Sequence, residues 1–413
     1  MSLSSLLFIS ALLHAYVGWR VAPALAGGPW PAALFVAAVA ASALLLPMGL
    51  LARRVRTQPL ADRLAWAGAL AMGLFSSLFV LTVLRDAALA VAWVASLLLP
   101  VPFTVLAALG SWSAAAVPLL GGAITLWGFA NARRTAAVVA VDVPIAGLPP
   151  GLHGFTIAQI SDVHVGPTIK RPYLDRIVEA VNRLGADMVA VTGDLVDGSV
   201  AELSSHVAPL AALRSRHGTF FVTGNHEYYS GAPAWVAELR RLGLRVLINE
   251  HVVLRHAGAE LVVAGVTDFS AHHFDPAQRS DPHAALHGAP DSAPTRVLLA
   301  HQPRSAEAAE RAGFQLQLSG HTHGGQFLPW NLFVRLQQPF TAGLHRWRDL
   351  WVYTSRGTGY WGPPKRFGAP SEITRLRLVA MAPSSAVRTA SPEGRPLQST
   401  GFAPGVPPGA SQA

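Results

Sequence analysis

The sequence has no cysteine at all. That excludes disulfides, thiolate-held zinc and a thiol nucleophile, and leaves the redox compartment open. Charge is scarce too: 13% of residues are charged, against roughly 25% in ordinary soluble domains, while 51% are hydrophobic. The formal net charge is +9, yet no tract of Lys and Arg interleaved with aromatics exists. Scattered basic residues argue against a nucleic-acid surface and for attraction to an anionic membrane surface.

The shortage of charge is confined to one end. Residues 1–134 read as long apolar runs, and beyond Arg133 the balance is that of a soluble enzyme. A membrane span needs about 20 mostly apolar residues, and residues 3–21, 31–51 and 64–84 each qualify. Residues 87–132 carry no charge and are punctuated by Pro100, Pro102 and Gly110. They make one span preceded by a membrane-surface helix, or two spans, so the count is four or five. The first run lacks a basic leader segment and reads as a retained span. Arg53, Arg54 and Arg56 after the second span, and Arg133 with Arg134 after the last, both mark cytoplasmic ends. Only an even number satisfies both. The expectation is four spans, a multi-pass protein of the cell (inner) membrane, and a cytoplasmic globular domain. His14, Arg20, Arg85 and Asp86 sit near predicted ends or breaks, which fits an anchor better than a transport path.

Residues 135–150 read as a Pro-containing linker, 151–382 as an α/β domain and 383–413, rich in Pro, Ser, Ala and Gly, as a disordered tail. Within the domain, apolar β-rich runs at 154–160, 188–192, 218–223, 297–300 and 314–319 alternate with helical spacing at 171–184 and 208–214. Each run stops at polar residues: Ser161-Asp162-Val163-His164, Gly193-Asp194, Gly224-Asn225-His226-Glu227, His301, and Gly320-His321-Thr322-His323. Ligands of open α/β sheets sit outside the carboxyl ends of the strands, and His, Asp and Asn in a cluster supply what a metal site demands. Singly these fragments are weak; the ordered set is specific. His272, His273, His283 and His287 lie in a polar loop and read as solvated, and Asp268 is given no ligand role.

The blocks Gln159–Gly166, 191–197, 222–227, 299–303 and 318–326 resemble the calcineurin-like metallophosphoesterases, and within them the membrane-spanning branch. The resemblance covers roughly residues 151–379. It implies an N-terminal all-α transmembrane bundle followed by an α/β domain of two mixed β-sheets sandwiched between helices. It further implies two divalent metal ions, Mn, Fe or Zn. Asp162, His164 and His323 would hold one, Asn225, His301 and His321 the other, and Asp194 would bridge them. His226 would face the substrate as the acid–base group, with Asp197 fixing its tautomer. Arg356, Lys365 and Arg366, in Gly/Pro-rich loops, are candidates to receive an anionic substrate. The implied activity is hydrolysis of a phosphate ester or pyrophosphate, with the lipid bilayer and a phosphorylated lipid or lipid-linked substrate as partners and no protein partner. Some relatives cleave UDP-2,3-diacylglucosamine in lipid A synthesis. A soluble phosphodiester, or an inactive sensor or scaffold on a membrane bundle, are the alternatives.

Overall fold

The computed structural model describes residues 3–55 and 57–381; Arg56 and the tail at 383–413 lie outside the described residues. The chain opens with four helices long and apolar enough to cross a membrane: α1 (Leu3–Val21), α2 (Pro29–Leu51), α3 (Leu60–Leu98) and α4 (Phe103–Arg133). Residues 87–98, expected as a separate surface helix or span, continue α3 instead. Nothing between Leu60 and Leu98 breaks a helix, since the first prolines after Pro59 are Pro100 and Pro102. At 39 residues α3 is about 58 Å long.

Val17, Val21, Val39, Leu78, Ala114 and Val117 form the bundle's interior. Arg85 and Asp86 bond within the bundle. Arg85 is buried and donates to the carbonyls of Arg20 and Gly110. Asp86 accepts from Arg20 at 2.8 Å and from Tyr16 at 2.7 Å. The end of α1 offers carbonyls without a helical partner, and a buried guanidinium meets that need.

The α/β part contains twelve strands: β1 (Ala137–Ile145), β2 (Thr156–Ile160), β3 (Met188–Val191), β4 (Thr219–Phe221), β5 (Arg245–Val246), β6 (Glu250–His256), β7 (Ala259–Gly265), β8 (Thr295–Leu299), β9 (Leu316–Ser319), β10 (Gly343–Trp347), β11 (Leu350–Thr354) and β12 (Glu372–Ala380). They form two six-stranded mixed sheets, ordered β1-β12-β2-β3-β4-β5 and β10-β11-β9-β8-β7-β6. The expected linker at 135–150 is therefore partly sheet. Its residues 137–145 pair in parallel with β12, Ala137 opposite Glu372 through Ile145 opposite Ala380.

Alternation along the strands builds three layers of core. Met188 and Ala190 of β3, Val297 and Leu299 of β8, and Leu316 and Leu318 of β9 meet between the sheets. Val189 and Val191 face out against α5 (Arg171–Asn182), where Leu174, Ile177, Val178 and Val181 form the apolar stripe. Leu298 faces the other way, against Ala306 and Ala309 of a short helix at Ala306–Arg311.

The domain is fastened to the bundle by a loop near its end. Lys365 reaches into α3 and donates from Nζ to Gly73 O (2.9 Å), Ser76 Oγ (2.8 Å) and Ser77 Oγ (2.6 Å). Arg366 N donates to Gly128 O of α4 at 2.9 Å. Arg133 donates to Thr168 O and Tyr360 Oη, and Lys170 pairs with Asp62 at 3.2 Å. The α2–α3 connection and the end of α4 thus lie on the domain's side of the bundle.

Candidate metal centre

Five strands of the two sheets deliver the site. Asp162 and His164 follow β2, Asp194 follows β3, Asn225 and His226 follow β4, His301 follows β8, and His321 with His323 follow β9. Asp162, His164, Asp194, Asn225, His301 and His323 are buried. Carboxylates and imidazoles converge in three overlapping groups whose donor atoms lie within 4.8 Å of one another: Asp162 with His164 and His323, His164 with Asp194 and His226, and Asp194 with His301 and His321.

Asp194 belongs to two of these groups. Its Oδ2 lies 3.1 Å from His301 Nε2 and 3.9 Å from His164 Nε2. His164 Nε2 faces His323 Nε2 at 3.0 Å, and His321 Nδ1 faces His301 Nε2 at 3.2 Å. At these separations each pair of nitrogens can share a hydrogen bond, and each stands beside a carboxylate that a cation would also meet. Asn225 Oδ1 is buried without a hydrogen-bond partner, and a buried carbonyl oxygen left so needs a partner such as an ion. The donor set of carboxylate oxygens, an amide oxygen and imidazoles therefore fits two divalent cations.

The backbone is bent to make this possible. Asp162 (φ 53°), His164 (φ 55°), Asp194 (φ 50°), His321 (φ 69°) and His323 (φ 51°) all occupy the left-handed region. Such residues cost of order 1–3 kcal/mol each and cluster where the surroundings over-determine them. At Gly320 a side chain is impossible, because a Cβ would run into Ser161 Oγ and Asp162 Oδ2. That closeness lets His321 N donate to both Asp162 oxygens, at 2.9 and 3.0 Å.

Electrostatics follow from burial and neighbours. Burial raises the Asp194 carboxyl, but His301, His226 and His164 around it outweigh that and hold it well below its ordinary range. Burial and then His301 push His321 down to about 3, and burial, His164 and Arg366 push His323 well down. Both shifts favour the neutral form that a metal-ligating imidazole takes; His301 goes the other way, since burial lowers it but Asp194 and then Asp162 outweigh that and hold it well above its ordinary value.

His226 is half-buried. Its Nδ1 bonds Asp197 Oδ1, and its Nε2 lies 3.9 Å from Asp194 Oδ2. Burial lowers this imidazole, yet Asp194 and Asp197 outweigh it and hold it up at about 9. Asp197 Oδ2 also stands 3.3 Å from His164 Nδ1, so one carboxylate orients both rings.

Glu227 carries no sequence-based role, although it stands inside the Gly-Asn-His-Glu block. It is fully buried and accepts from Gly224 N (2.6 Å), Leu195 N (2.7 Å) and Asp194 N (3.0 Å). It ties the loop after β3 to the loop after β4. Burial, and then Asp194, raise its carboxyl to about 8. Tyr229, Trp330 and Trp361 complete the wall of a cleft of about 220 Å³ over the donors; as isolated aromatics they carry no motif to announce them.

The three charged residues expected to receive substrate do not line this cleft. Arg356 pairs with the buried Glu372 at 2.6 Å. Lys365 is spent on α3, where burial lowers it to about 8. Arg366 is completely buried, bonding the carbonyls of Gly359, His323, Arg356 and Ala369 and meeting His323 Nδ1 at 3.0 Å. A Gly/Pro-rich loop suggests surface, but a five-donor guanidinium can satisfy several buried carbonyls at once. Asp268 is buried and accepts from Ser270 and Gln302, near His301 but outside the three donor groups. His273, His283 and His287 are exposed.

A family model described as calcineurin-like phosphoesterase matches residues 155–325. A Bos taurus protein named transmembrane protein with metallophosphoesterase domain is 42% identical over 269 residues, 62% of this chain and 60% of that one. Its Danio rerio counterpart is 39% identical over 268 residues, 63% and 61% of the two chains. An uncharacterized metallophosphoesterase of Aquifex aeolicus is 33% identical over 233 residues, 56% of this chain and 87% of that one. The chain thus spans about 60% of the length of the two vertebrate relatives.

Proposed function

Given that this chain belongs to the calcineurin-like phosphoesterase family, we propose that it is a membrane-anchored hydrolase of phosphate ester or pyrophosphate bonds, acting on a lipid or lipid-linked phosphate with two divalent cations. The observation that supports it is the meeting of six of the seven donors, from four strand ends, in overlapping groups beneath a cleft that the seventh, Asn225, also lines.

Asp162, His164 and His323 would hold one cation, Asn225, His301 and His321 the other, with Asp194 shared. Two cations held there would supply a water of lowered pKa and charge to offset that on the attacking and leaving oxygens of an in-line displacement. The rest falls to side chains. Asp197 fixes His226 through Nδ1, which leaves Nε2 turned to the cleft to stabilise the developing charge and pass a proton to the leaving oxygen. Tyr229, Trp330 and Trp361 wall the cleft and restrict water. An inactive scaffold fits less well, because loss of a donor is the mark of that outcome and all seven are present.

The domain lies on the side of Arg54, Arg133 and Arg134, so the excess of basic residues at cytoplasmic ends supports a cytoplasmic active site in a multi-pass cell (inner) membrane protein. A reporter fused after the last strand reads this directly, and activity of a periplasmic type overturns it. Full-length protein given Mn is expected to cleave bis-p-nitrophenyl phosphate, lose that activity to a chelator and regain it with Mn, Fe or Zn. Full activity after chelation contradicts the two-metal reading. A panel of lipid phosphates that includes UDP-2,3-diacylglucosamine narrows the substrate.

A further inference from the structure

A second cavity, of about 420 Å³, adjoins the metal cleft and shares His226, Tyr229 and Trp361 with it. Its other wall is the membrane bundle: Leu46 and Leu50 of α2, and Ala65, Ala69 and Met72 of α3. Its volume is that of a small-molecule site, in the usual range of about 300–1,000 Å³. The two helices cross in contact at its base, where a Cβ on Gly49 would stand 2.6 Å from Gly68 Cα. Gly49 and Gly68 line the cavity as well, so it is a slot over the α2–α3 seam, floored by small Ala65, Gly68 and Ala69 and closed from the other side by Pro167, Thr168 and Trp361 of the α/β domain.

A separate feature points the same way. The helix Trp330–Gln337, here α6, turns Trp330, Val334 and Gln337 to the metal cleft. Its remaining apolar side chains face outward: Leu332 is 57% exposed, Phe333 51% and Leu336 83%. A short helix with such a face is suited to lie in a bilayer interface. The Trp330 and Trp361 rings stand 5.5 Å apart over the cleft, and tryptophan favours that interface. Neither cavity is lined by lysine or arginine. The lining therefore complements an apolar body bearing few phosphates better than a polyanion.

We propose that the slot over the α2–α3 seam is an acyl-chain site: a bilayer lipid places its phosphate over the metal centre and its chain along these helices, beneath the domain, with α6 lying in the interface beside the mouth. This deepens the hydrolase reading and rests on it. The bundle then selects substrate as well as anchoring the enzyme.

Occupancy can be read without turnover. Full-length protein in phosphatidylcholine nanodiscs doped with a diazirine-bearing long-chain phosphatidate is expected to cross-link at residues 46–50 and 65–72. Ala69→Trp, which fills the slot, should cut that labelling at least about tenfold, since each excluded methylene counts several-fold, while labelling at the outward-facing Trp112 and Leu119 of α4 persists. Cross-links confined to outward faces, or equal labelling of the variant, overturn the proposal. The same variant should lower the ratio of kcat/KM for long-chain phosphatidate to that for bis-p-nitrophenyl phosphate by about tenfold; an unchanged ratio overturns it. Ala65→Phe repeats both readings should Ala69→Trp fail to fold. If wild-type protein cleaves neither ester while the slot still cross-links, the hydrolase reading has failed and the chain site stands. If it cleaves the soluble ester but the slot never labels, the reverse holds.

Discussion

At the strand ends the donors are pinned from behind. Asp162 is held by the His321 amide, Asp194 sits over Glu227, and five donors occupy left-handed backbone that only a rigid frame sustains. In the bundle, aliphatic side chains and a few polar groups make the contacts, small residues let α2 and α3 touch, and a slot is left between that seam and the domain. The two regions meet at His226, which lines both cavities. The contrast teaches a division of labour. The strand ends supply fixed geometry for chemistry, and the helices supply fastening and a place for an apolar body.

The sharpest way to break this contrast is Asp194→Asn. It removes the one carboxylate shared by two donor groups, and both metal content and turnover should fall below detection; normal metal content would deny the shared role. His226→Ala should keep its metals yet lose about 10²–10⁴ in rate, the usual worth of acid–base assistance. An unchanged rate with bound metal would remove His226 from the chemistry. Arg366→Met strands several buried carbonyls, each costing about 1–3 kcal/mol. A loss of about 3–5 kcal/mol is expected from denaturation in detergent, and no measurable loss would show the loop is not fastened by this side chain. Lys365→Met should do least, about 1 kcal/mol or under. Ser76 still donates to Gly73 O and Ser77 still meets Thr125, so the bundle keeps its own bonds. A metal loss in that variant would show that the bundle reaches into the centre.

Much of this was legible in residue order alone. Asp162, Asp194, Asn225, His301 and His321 each follow a short apolar run, and a continuous apolar run closed by a polar stop is a local signal. The lengths of α1 and α2 were legible for the same reason, because crossing a bilayer is a matter of consecutive apolar residues. What escaped depends on partners far along the chain. Residues 137–145 become sheet only because β12 lies beside them, and Pro144 in their midst reads as linker. Arg366 and Lys365 look like solvated charges until β9 and α3 close around them. Glu227 bonds amides on two loops that meet only once β3 and β4 pair.

The most direct test is a count of metal ions on the purified full-length protein, by elemental mass spectrometry, beside the variants of the shared carboxylate and of one outer donor. Wild-type protein reconstituted with Mn should carry about two ions per chain, His323→Ala about one, and Asp194→Asn close to none. A chain that binds no divalent ion at all, or one that keeps its full complement when Asp194 is replaced, would contradict the convergence of seven side chains on a metal pair.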